Sequence, residues 1–155
     1  MFWLVKRKEF NQLQGEGARL ALKERVDNGS RPGLLAYLDG QPAGWAAFGS
    51  REGYLGLQNS RILAPVDSQG VWSIPCFYIA RGQRRRGLCS ALVKAVIVEV
   101  RKQGGKILEA YPVEPKKELA VDAYIYTGLA STFRKLGFTE VARRSETRPV
   151  FRLEV

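Results

Sequence analysis

The chain contains no histidine among its 155 residues. Imidazole is the side chain that ordinarily exchanges protons near neutral pH. Its absence excludes serine–histidine triads, histidine-activated cysteines and histidine-bearing zinc centres. Only two cysteines occur, Cys76 and Cys89. They make no disulfide framework and lack the spacing of a zinc-binding pair, so a reducing, cytoplasmic setting is expected and no metal. No run approaches the roughly 18 apolar residues of a membrane span, so no membrane partner is expected. Met1–Lys6 is too short and too soon charged to read as a secretory leader. Acidic residues are also scarce, 15 against 25 Lys and Arg, giving a net charge of +10. That surplus favours anionic partners without choosing among phosphorylated cofactors, acidic substrates, nucleic acid and a membrane surface.

What is present suits one α/β domain spanning residues 1–155, with 45% hydrophobic residues to build a core. Phe2–Lys6 reads as a short strand. Glu9–Asp27 reads as helical but broken at Gly15 and Gly17, hence two short helices. Leu34–Leu38 and Gly44–Phe48 flank an Asp39-Gly40 turn and predict an antiparallel hairpin. Tyr54–Pro65 fits neither period and is expected to be an irregular connection with one helical turn, serving as a surface link or as a lid over a site. Val71–Ile79 is the central strand, and Pro75 within it predicts that pairing lapses on one side. Gly87–Gln103 carries apolar residues at helical spacing and stops at Gly104-Gly105. Lys106–Val113 returns as a strand parallel to the central one. Ser131–Leu136 forms a late helix ending at Gly137, and two final strands cover Val141–Arg144 and Val150–Val155.

The most informative stretch is Ile79–Val93, where the central strand runs through Arg84-Arg85-Arg86-Gly87 into the long helix. The first N–H groups of a helix have no intrahelical partners, and the helix dipole adds partial positive charge there. A strand, a glycine-bearing basic loop and a helix N-terminus together make a cradle for phosphate.

With that order in place, the chain resembles the GNAT superfamily of N-acetyltransferases along essentially its whole length. Arg84-Arg85-Arg86-Gly87-Leu88-Cys89 is similar to the family's pyrophosphate signature, and Ser90-Ala91-Leu92-Val93 continues it. Ile79 stands five residues before Arg84 as in the family. Phe133-Arg134-Lys135-Leu136-Gly137-Phe138 resembles the family's late helix ending in Gly-Phe. The resemblance implies a central, mixed but mostly antiparallel sheet, splayed at a parallel strand pair and flanked by helices. It implies acetyl-CoA as acyl donor in the splay. Its pantetheine would pair with backbone near Phe77 and Ile79, and its phosphates would lie on Arg84, Arg85, Arg86, Gly87, Leu88, Cys89 and Ser90. A small-molecule or peptide amine would then attack the thioester directly.

Two departures from the family pattern matter. Cys89 replaces a Gly or Ala and narrows the approach slightly. Phe133 stands where many relatives carry a tyrosine that protonates the leaving thiolate. Tyr124 and Tyr126 lie in the region where relatives contact the thioester end of the cofactor; Tyr126 is the candidate substitute, and loop packing is the alternative. Glu109 is the candidate base for the acceptor ammonium, or else a carboxylate paired with one of the many arginines. Tyr111, on the same strand face, could line the acceptor pocket or simply pack. An acyl-cysteine at Cys76 or Cys89 is disfavoured because neither thiol has a histidine partner. Trp3, Trp45 and Trp72 read as core or rim aromatics. The rival readings are a non-catalytic CoA-binding module and a basic nucleic-acid-binding domain; the order of elements does not match known modules of the latter kind. Self-association as a homodimer is left open.

Overall fold

The computed structural model describes residues 2–115 and 126–155. Among these described residues, five α-helices, α1 (Arg7–Gln12), α2 (Glu16–Asp27), α3 (Leu55–Gln58), α4 (Leu88–Lys102) and α5 (Ala130–Lys135), accompany six strands. These are β1 (Gly33–Leu38), β2 (Gln41–Ser50), β3 (Trp72–Ile79), β4 (Ile107–Ala110), β5 (Thr139–Arg143) and β6 (Pro149–Glu154). They form one sheet in the order β1-β2-β3-β4-β6-β5, in which only β3 and β4 run parallel.

Local sequence explains most of these elements. Asp39 and Gly40 take φ of 49° and 75°. Paired positive φ values are what a two-residue turn needs to match strand twist. β1 and β2 therefore pair tightly, from Gly33 opposite Ala47 to Leu38 opposite Gln41. α4 owes its length to an uninterrupted apolar stripe, with Leu92, Val93, Val96 and Val100 fully covered. Those residues pack with Ala46, Ile74, Phe77, Leu108, Phe133 and Phe151 into the main core on one face of the sheet.

A second, smaller cluster sits on the opposite face. Tyr54, Leu57 and Leu63 there cover Tyr111 and Val150. The irregular Tyr54–Pro65 segment thus contains the expected helical turn, and it is a strap packed on the sheet rather than a loop standing off it.

Phe2–Lys6 differs from the expected strand. Phe2–Val5 form turns, because their aromatic rings pack locally instead of pairing at the sheet edge: Phe2 meets Trp3 and Phe10 edge-on at 5.0 and 5.4 Å. One backbone bond, from Gly56 N–H to the Trp3 carbonyl at 3.0 Å, ties this segment to the strap. α1 and α2 follow as two helices broken at Gly15, and neither contributes a buried residue.

Candidate active site

The loop between β3 and α4 starts with a 3-10 turn over Arg81–Gln83. Arg84 folds back, its Nε donating to the Ile79 carbonyl at 3.2 Å, and Arg86 Nη1 donates to the Gln83 side chain. Arg85 takes φ of 61° and Gly87 takes φ of 77°. The chain therefore passes through left-handed backbone twice before the helix begins, and glycine is the residue that accepts this without steric cost. α4 has no side-chain cap, so the leading N–H groups of Leu88, Cys89 and Ser90 are free for an anion. A Cβ built on Gly87 meets nothing within 4 Å, which leaves the approach to those N–H groups open. These residues fit a pyrophosphate. Cys89 does not narrow that approach: its side chain packs against the main core, and burial pushes its thiol up to about 11.

Beside this loop the sheet opens. β3 and β4 pair from Trp72 opposite Leu108 only as far as Ile74 opposite Ala110. Pro75 comes next and has no N–H to continue the ladder. On the other side of β3 the register with β2 shifts between Ala47 and Gly49. That bulge returns Phe77 to the α4 side and sends Cys76 to the opposite face. Past the opening, Phe77 N–H donates to the Tyr126 carbonyl at 2.7 Å, while Val113 N–H donates to Gly128 at 2.8 Å. The backbone of Tyr126–Gly128 thus spans the gap between the diverging strands. Arg148 holds this turn, donating to Thr127 Oγ1 at 2.9 Å and lying over the Tyr126 ring at 5.9 Å. Tyr124 lies outside the described residues.

On the sheet face away from α4, a cavity of 360 Å³ lies against this opening. Trp45, Ala47, Pro75 and Cys76 line it from the sheet, Tyr54 from the strap, and Phe2, Trp3, Leu4, Arg7 and Phe10 from the N-terminal segment, with Pro32 and Tyr126 completing it. Burial raises the Tyr54 and Tyr126 hydroxyls above the ordinary phenol range and pushes the Cys76 thiol up to about 11. All three are protonated at neutral pH. Of the sequence candidates among the described residues, Tyr126 and Cys76 line this cavity. Arg7, Trp45 and Tyr54 carried no motif, and only the three-dimensional packing brings them together.

Glu109 is elsewhere, fully buried on β4. Its Oε1 accepts from Arg51 Nη1 at 3.0 Å and from Tyr111 Oη at 2.7 Å, and its Oε2 accepts from Arg152 Nε at 2.8 Å. Arg51 Nη1 also donates to Tyr111 Oη at 2.6 Å, and Ser73 Oγ lies 2.8 Å from the same hydroxyl. Arg51 Nη2 reaches the strap carbonyls of Leu57 and Leu63 at 3.3 and 2.6 Å. Arg152 in turn holds Asp67, whose carboxyl drops to about 2 because of that guanidinium. The geometry matches the paired-carboxylate alternative for Glu109, and Tyr111 packs within the same network instead of lining the cavity. Phe133 is a core residue, edge-on to Phe138 at 5.1 Å.

Residues 2–127 match the model of the acetyltransferase (GNAT) family. The chain belongs to this family. No curated protein sequence matches it. Solved structures agree on the fold. An N-acetyltransferase from Staphylococcus aureus Mu50 superposes with a TM-score of 0.61 at 18% identity, over 91% of this chain and 78% of that one. YncA of Salmonella typhimurium, solved with its cofactor acetyl-CoA, gives 0.57 at 19% identity over 88% and 72%. The PaiA N-acetyltransferase of Thermoplasma acidophilum, in complex with coenzyme A, gives 0.56 at 10% identity over 98% and 81%. This GNAT chain is accordingly an acyltransferase.

Proposed function

We propose that the protein transfers the acetyl group of acetyl-CoA to a primary amine by direct attack. The observation that carries this reading is the meeting, at the open end of the β3–β4 pair, of a basic helix N-terminus on one side and a solvent-open cavity on the other. When bound, acetyl-CoA supplies an activated thioester carbonyl. The backbone N–H groups of Leu88, Cys89 and Ser90 would hold its phosphates, with Arg85 and Arg86 adding charge at the lip. The Phe77 N–H would exchange the Tyr126 carbonyl for a pantetheine amide, and Ile79 would extend that edge.

No carboxylate lines the cavity among the described residues. Glu109 is committed to two arginines and is a structural anchor, so the acceptor amine loses its proton to water. Tyr126 lines the cavity and spans the opening, and burial keeps its phenol protonated. It is the group best placed to give a proton to the departing sulfur. Replacing Tyr126 by Phe should lower kcat on the order of 10²-fold while leaving the KM for acetyl-CoA unchanged. Release of free thiol from acetyl-CoA in the presence of an amine measures both. An unchanged kcat would remove Tyr126 from the chemistry.

A further inference from the structure

We propose that the acceptor is a small primary amine carrying an aromatic body and a carboxylate, of the aromatic α-amino acid type. This rests on the acetyltransferase reading above and concerns what the cavity can hold. Its 360 Å³ falls near the lower end of the roughly 300–1,000 Å³ typical of small-molecule sites. Phe2, Trp3, Phe10, Trp45, Tyr54 and Tyr126 supply its aromatic surface. The apolar surface continues beyond it, because Leu35, Trp45 and Tyr78 stand opposite one another on three adjacent strands. Leu35 and Tyr78 are 58% and 62% exposed there. A flat aromatic body finds ring partners in this cavity and leaves water on entering it.

The polar groups point the same way. Arg7 is the single charged residue of the lining, lies over the Phe2 ring at 5.2 Å, and has no carboxylate partner among the described residues. The guanidinium of Arg7 only donates hydrogen bonds, so it matches a group that only accepts, which a carboxylate is. Among the described residues, the lining offers no negative charge to a polyamine or an aminoglycoside. In the reaction, the neutral amine nitrogen forms the C–N bond to the acetyl carbon and the C–S bond breaks. Its electron pair leaves on sulfur, and the proton shed by nitrogen is balanced by the one that completes the CoA thiol.

The test uses the full chain and two readouts. Trp3 and Trp45 line the cavity, so their fluorescence reports acceptor binding independently of turnover, and thiol release from acetyl-CoA reports transfer. Phenylalanine and 4-fluorophenylalanine, their decarboxylated amines, spermidine and kanamycin form the panel. The amino acids should perturb the fluorescence and be acetylated at least tenfold more efficiently than the decarboxylated amines. Arg7→Ala should raise KM for the amino acids about tenfold and leave KM for the decarboxylated amines unchanged. Preference for spermidine or kanamycin, equal use of the decarboxylated amines, or neither binding nor turnover of the amino acids would overturn the proposal. Failure of acetyl-CoA itself to bind, by calorimetry, would instead overturn the acetyltransferase reading.

Discussion

At the scale of single residues, Glu109 decides most. A carboxylate on the strand beside the sheet opening invites a role as base, yet its two oxygens are taken by Arg51, Tyr111 and Arg152. Breaking a buried ion pair leaves the partner charge uncompensated and costs about 3–5 kcal/mol. Arg51 and Glu109 are 9% and 1% exposed at the side chain, so that range applies. Glu109→Gln should therefore lower the urea midpoint strongly. The alkaline rise of kcat/KM should keep its position, because it follows the acceptor amine. A shifted pH profile with unaltered stability would restore Glu109 as the base. The sequence offered both readings of this residue because strand alternation shows which face a side chain takes but not which partner meets it there. Arg51 went unnoticed for the same reason: nothing local distinguishes a buried arginine that ties a strap from a solvated one.

At the scale of elements, legibility followed local chemistry. The hairpin at Asp39-Gly40, the pairing lapse at Pro75 and the α4 N-terminus at Gly87 each follow from backbone constraints of one or two residues, and each was readable. The N-terminal segment was not. Phe2–Val5 are apolar enough for a strand, and only contacts with the strap and with Phe10 divert them. The cavity shares this fate, since its lining comes from six separated stretches of the chain, residues 2–10, 32, 45–47, 54, 75–76 and 126. α1 and α2 bury no residue, and elements with few buried contacts open at low free energy. Their amides should exchange with solvent at least tenfold faster than those of α4, and should slow when an acceptor fills the cavity that Arg7 and Phe10 border. Hydrogen-exchange mass spectrometry reads both; equal protection in α1, α2 and α4 would contradict this.

At the scale of the whole molecule, the two faces of the sheet divide the labour. One carries the main core and α4, whose N-terminus offers free N–H groups beside a basic lip. The other carries the strap, locked by Arg51 and Glu109, and the aromatic cavity. On the proposed reading, the net charge of +10 would draw a polyanionic cofactor toward the arginine lip. The central claim is that acetyl-CoA binds through the α4 N-terminus, and its most direct test is calorimetric titration of acetyl-CoA into the wild-type chain and into Gly87→Glu. At Gly87 the backbone is left-handed at φ of 77° and opens onto the cradle, so a glutamate there adds both strain and a charge facing the phosphates. The wild type should bind with one site per chain and weaken as salt rises. The variant should remain folded by circular dichroism and show no heat of binding. Equal affinity in the two proteins would place the cofactor elsewhere and contradict the account.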